Sequence, residues 1–122
     1  MKRVKLCDMT TERLVQLFAD LAVQQDAALL YRAQQEVNKI FWKLEEIESE
    51  LKSRPGDQRS ALPLFNHKNM QVSVKAAKAT LAIAPEAARA QLEAIRASGW
   101  QPQAADAEMS LFALENGVYK PK

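Results

Sequence analysis

Seven apolar residues, Leu30, Ala33, Val37, Ile40, Leu44, Ile47 and Leu51, recur at alternating steps of three and four. At about 3.6 residues per turn they fall on one stripe of an α-helix, whereas a strand would scatter them over both faces of a sheet. The spacing predicts an amphipathic helix from about Ala27 to Lys52. Phe41 widens the apolar seam, and Lys43, Glu45, Glu46, Glu48, Glu50 and Lys52 take the solvent side. Such a stripe must be covered by another helix, of the same chain or of a second copy, so the oligomeric state stays open.

The remaining segments read the same way. Thr10 and Thr11 are N-cap residues ahead of Leu14, Leu17, Phe18 and Leu21, which predicts a first helix over about Thr10 to Gln24. Ser53-Arg54-Pro55-Gly56-Asp57 breaks the chain, since Pro cannot continue a helix and Gly permits reversal. A short helix around Gln58 to Phe65 follows. Asn69 then caps a helix running to Ala84, where Pro85 disfavours helical backbone in its predecessor and opens the next helix, about Pro85 to Ala97, closed by Gly99. A last helix spans Ala104 to Glu115. The expected architecture is all-α, with about six helices and no sheet.

Composition agrees. The 122 residues contain 3 Gly and 5 Pro, few for a chain that turns every ten residues or so, and their 48% hydrophobic and 26% charged content is ordinary globular usage. This length suits a single helical domain, with an ordered body over about residues 8–118 and short basic tails. The net charge is +2, but Lys2, Arg3, Lys5, Lys120 and Lys122 lie in those tails, and positions 6–118 carry a net charge of −3. A polycation that wraps nucleic acid is therefore disfavoured. Cys7 is the single cysteine, which excludes an internal disulfide and fits the reducing cytoplasm. No apolar run approaches the ~20 residues of a membrane span, so no membrane association is expected.

The predicted helix from Asn69 to Ala84 has two apolar stripes. Met70, Val74, Ala77, Leu81 and Ala84 lie on one side, and Val72, Ala76, Ala79 and Ile83 lie roughly opposite. A helix apolar on opposite faces is expected to lie between neighbours. Lys68, Gln71, Lys75 and Lys78 occupy one of the strips between. The stretch from Ser60 through Asn66-His67-Lys68-Asn69-Met70 to Leu81, followed by Ala84-Pro85-Glu86 to Ile95, resembles a HEAT or armadillo-type repeat. Together with the Asn38-Lys39 pair and the chain length, it also resembles a bacterial family of short HEAT-like proteins with no assigned function. The resemblance covers about residues 10–117 and implies a HEAT-like α-α superhelix. An irregular helical bundle is the alternative.

Catalytic chemistry finds little support in the residues. His67, the one histidine, has no Cys, Asp or Glu near it at ligand spacing, and Cys7 has no partner motif. The Glu45 to Glu50 carboxylates lack the Glu-x-x-His pairs of a di-metal bundle. No metal, cofactor or enzymatic activity is expected. The segment from Lys52 to Arg89 holds seven basic and two acidic residues, which makes a basic groove edge the leading site. Its expected members are Lys68, Gln71, Lys75 and Lys78, with Arg59 and Asn38. The functional expectation is a non-enzymatic interaction module or adaptor that binds an acidic protein partner there, a toxin-immunity protein being one specific form. Contact with a nucleic-acid backbone is the alternative. Phe41 is expected in the core, and Trp42 and Trp100 either pack or stand exposed.

Overall fold

Thr10 opens the first helix as its sequence position suggests: its Oγ1 accepts from the Arg13 N–H at 3.1 Å, satisfying one of the donors that a helix start leaves without an intrahelical partner. In the computed structural model, which describes residues 5–62 and 67–122, this helix is α1, Thr11–Leu30. It is followed by α2 (Gln34–Ser53), α3 (Met70–Ala79), α4 (Pro85–Ser98) and α5 (Gln103–Glu115). Among the described residues, short 3₁₀ turns at Leu6–Asp8 and Gln58–Ala61 complete the regular structure and there is no strand. None of the described helices is long and apolar enough to cross a membrane. The chain divides into two compact units, Met1–Leu62 and Pro63–Lys122.

In the first unit, α1 packs along α2. Leu14, Phe18, Leu21 and Ala22 of α1 are buried, as are Ile40, Leu44, Ile47 and Leu51 of α2. Burying each of the larger side chains contributes about 1.5–3 kcal/mol. Gln25, also buried, ties the pair together by donating from Nε2 to the Val37 carbonyl at 3.2 Å.

The boundary between these helices differs from the expectation. The first helix runs on to Leu30 rather than ending at Gln24, and Leu30 and Ala33 are exposed rather than part of the α2 seam. The cause is a turn with neither Gly nor Pro. Arg32 adopts φ +57°, its N–H donates to the Leu29 carbonyl at 3.2 Å, and the Ala33 N–H donates to the Ala28 carbonyl at 2.8 Å. These are the paired bonds of a Schellman motif, formed with arginine where glycine is usual. Because the apolar spacing passes through the turn in phase, it reads as one helix.

Of the expected helix at Gln58 to Phe65, Gln58–Ala61 forms a 3₁₀ turn ending at buried Leu62. Pro63, Leu64 and Phe65 lie outside the described residues.

In the second unit, Asn69 Oδ1 accepts from the N–H groups of Gln71 and Val72, at 2.9 and 3.3 Å, and starts α3 as expected. Helix α3 stops at Ala79, short of Ala84. Thr80 Oγ1 donates back to the Ala76 carbonyl at 2.9 Å, a local bond that competes with helix continuation, and Pro85 follows at the first position of α4. Gly99, at φ +68°, ends α4. Val74, Ala77 and Leu81 pack with Ala88, Leu92 and Ile95 of α4 and Ala107 and Leu111 of α5. The opposite stripe of α3 is buried too, with Val72 and Ala76 at 0% exposure. Its alanines permit close approach of neighbours, and the two-faced character read from the sequence is seen in the burial.

Candidate functional site

The six residues expected to edge a basic groove are placed in very different surroundings. In the first unit, Asn38 is exposed on α2 and accepts from Gln34 Nε2 at 2.9 Å. Arg59 is buried and forms a two-point pair with Asp57, donating from Nε at 2.8 Å and from Nη2 at 2.6 Å. The hydrogen bond from the Arg59 guanidinium holds the Asp57 carboxyl below the usual carboxylate range, with Lys52 adding a weaker push the same way. Arg59 therefore fixes the turn after α2 and does not present its charge to solvent.

In the second unit, Lys68 is exposed just ahead of α3, and Lys75 is half-buried on it. Lys78 donates from Nζ to Asp106 Oδ1 of α5 at 3.0 Å. Gln71 is interior: at 4% exposure it accepts from Gln103 Nε2 at 2.8 Å, forming a buried amide pair between α3 and α5. The polar strip thus resolves into a structural amide, an ion pair, half-buried Lys75 and exposed Lys68. Its helical spacing predicted a shared side of the helix but not that α5 covers part of that side. His67 serves the α3 cap, with Nδ1 accepting from the Asn69 N–H at 3.0 Å.

A shallow concave surface of the first unit lies elsewhere, along α2. Trp42, Glu45, Glu46, Ser49, Glu50 and Ser53 follow at helical spacing along one side of α2, and Leu6 supplies the facing wall of a shallow groove of about 560 Å³. Trp42 is 65% exposed. Phe41, expected in the core, is instead 38% exposed and meets the Trp42 ring edge-on, with centroids 5.2 Å apart at 84°. Two aromatics adjacent in a helix point about 100° apart, so both cannot face the α1 seam already filled by Ile40 and Leu44.

The wall is held by Arg54. Its guanidinium donates to the carbonyls of Leu6 and Met9 at 3.1 and 2.6 Å, to Thr11 Oγ1 at 3.3 Å and to Glu50 Oε2 at 3.0 Å. One side chain thereby fastens the segment before α1 to the end of α2. It also neutralises Glu50, leaving exposed Glu45 and Glu46 as the charges of the groove rim. In the sequence these glutamates read as a solvated face, and nothing near them indicates a facing wall. The available signal was the spacing of Trp42 with Glu45, Glu46 and Ser49. Among the described residues no cluster of three or more His, Cys, Asp or Glu is arranged to hold a metal ion.

A family model described as a domain of unknown function (DUF2019) matches residues 12–115. No curated protein matches the chain. Among solved structures, the protein RPA1889 from Rhodopseudomonas palustris CGA009 is 53% identical, covers 98% of this chain and 100% of its own, and superposes with a TM-score of 0.94. The matched span runs from the first turn of α1 to the last residue of α5, so it takes in every helix described, and the chain belongs to the DUF2019 family.

Proposed function

We propose that this protein is a non-enzymatic protein-interaction module of the cytoplasm, assembled from HEAT-like helix pairs. The observation that carries the reading is Trp42, an indole 65% exposed beside a groove rather than folded into the core. Tryptophan is strongly enriched among interface hot spots, because a partner that covers it removes a large apolar surface from water. Leu30 and Tyr31 at the end of α1, and Met109 and Phe112 on α5, are further large side chains more than 60% exposed. Packing of successive helices within each unit, α1 on α2, α3 on α4 and α4 on α5, supports the helical-repeat architecture. The cytoplasmic placement rests on Cys7, a free thiol and the single cysteine.

The lysine edge enters this reading in reduced form. An acidic partner face would meet exposed Lys68, since Lys75 is half-buried, Lys78 is paired with Asp106 and Gln71 is interior. The Trp42 side is favoured because it combines a concave shape with a large exposed apolar ring.

The test is site-specific photocrosslinking in cells, with the crosslinking residue at position 42 and, as a control, at exposed Ala105 on α5. A discrete protein adduct from position 42 and none from position 105 is the expected result. No adduct from position 42, in a variant with unchanged helical circular dichroism, would overturn the proposal.

A further inference from the structure

Resting on that reading, we infer that the Trp42 groove receives an arginine side chain of the partner protein, with its guanidinium stacked on the indole and facing Glu45 and Glu46. The groove is lined by more apolar than polar surface, to which Trp42 and Leu6 belong, and Glu45 and Glu46 are exposed along it. Glu45 and Glu46 stand three and four residues beyond Trp42, so all three share one side of α2. Glu50, one turn further, already has Arg54 as its cation, which confines the rim's negative charge to the end nearest the indole.

A planar, weakly hydrated cation fits this arrangement. Guanidinium stacks on tryptophan and also donates in a fork to carboxylates, while the aliphatic stem of arginine covers apolar surface. Lysine offers a compact, strongly hydrated charge and less stacking. A neutral apolar side chain would cover Trp42 but desolvate the two carboxylates without replacing their hydrogen bonds. A phosphate backbone or an anionic lipid headgroup is repelled by the rim.

The test uses the full chain carrying Trp100→Phe, so that tryptophan emission reports Trp42 alone, titrated with the peptide acetyl-Gly-Arg-Gly-Arg-Gly-amide. Lysine and citrulline versions run in parallel. The arginine peptide is expected to change the emission saturably and to shift backbone amides along residues 42–53. Affinity should be lower for lysine and be lost for citrulline, which keeps the shape without the charge. Glu45→Gln and Glu46→Gln should each weaken arginine binding, and Trp42→Leu, followed by amide shifts, should weaken it about two- to five-fold from the lost stacking.

Equal response to citrulline, no saturable response, or binding unaffected by these variants overturns the inference. So does concentration-dependent dimerisation in sedimentation that Trp42→Leu abolishes, which would make a second copy the occupant. The two readings separate through the crosslinked adduct. An adduct at position 42 on a segment without arginine leaves the interaction module standing and overturns the arginine assignment, whereas no adduct and no peptide response overturns both.

Discussion

The Arg54 guanidinium reaches the carbonyl oxygen of Met9 at 2.6 Å, joining positions 45 residues apart. This is the shortest of its four bonds, and together they turn the chain preceding α1 into a wall of the α2 groove. Arg54→Ala should destabilise the protein by about 1.5–3 kcal/mol, the range for hydrogen bonds to charged groups. Arg54→Lys should recover only part, because an ammonium cannot serve partners spread around a planar fork. Denaturant titration measures the loss, and faster hydrogen exchange at the Asp8 and Met9 amides would show that the 3₁₀ turn is what loosens. Unchanged exchange there would disprove the stapling role.

The Gln71 and Gln103 amides form a second long-range link, buried in the second unit. Gln71→Leu removes the acceptor of Gln103 Nε2 and should cost about 1–3 kcal/mol. The double variant with Gln103→Leu should be destabilised by less than the two single losses combined, because one defect then replaces two. Additive losses in thermal or denaturant unfolding would show that the amides contribute independently.

Arg32 and Gly117 occupy equivalent positions after α1 and α5, at φ +57° and +68°, with the same pair of backbone bonds closing each helix. A left-handed residue with a Cβ is strained by roughly 1–2 kcal/mol, offset in part by the greater unfolded-state entropy of glycine. Arg32→Gly should therefore stabilise by about 0.5–1 kcal/mol. Gly117→Ala should destabilise by about 1 kcal/mol although a Cβ there meets nothing within 4 Å, making the penalty purely conformational. Opposite shifts of the two melting temperatures are the expected readout.

Asp57 predicts a pH dependence. Its carboxyl is held below the ordinary range by the hydrogen bond from Arg59, so the folded state binds its proton less readily than the unfolded chain does. The associated stability is present above the unfolded value of roughly 4 and is lost as pH falls through the lowered folded value. Relative to the native protein, Asp57→Asn should lose stability at neutral pH and converge with it in acid. An unchanged difference between the two proteins from pH 7 to pH 2 would disprove the linkage.

Local rules made much of the fold legible. Thr10 and Asn69 cap their helices, Pro85 opens α4 and Gly99 closes it, because each acts through its own backbone and near neighbours. Elsewhere the deciding contact is distant or the signal residue is missing. Arg32 makes a turn for which glycine is the usual signal, so the sequence pattern divides α1 from α2 several residues too early. For Gln71, the polar character was plain but its partner is 32 residues away on α5. Arg54 looked like part of a breaker, and nothing near it in sequence announces that Leu6 and Met9 come to it. The groove is not legible in the sequence for that reason: one side is written along α2, and the other is brought by a bond across the chain.

Because Leu6 belongs to the groove, the amino terminus is a poor place for any fused handle. A chain extends at most about 3.6 Å per residue, so a tag attached at Met1 starts within roughly 20 Å of that wall. If the handle is a polyhistidine or lysine-rich peptide, its cations are also the kind of charge that Glu45 and Glu46 attract. Fishing with such a bait risks presenting the hook already occupied, and fusion after Lys122, in the other unit, keeps the handle off the chain end that leads into the groove.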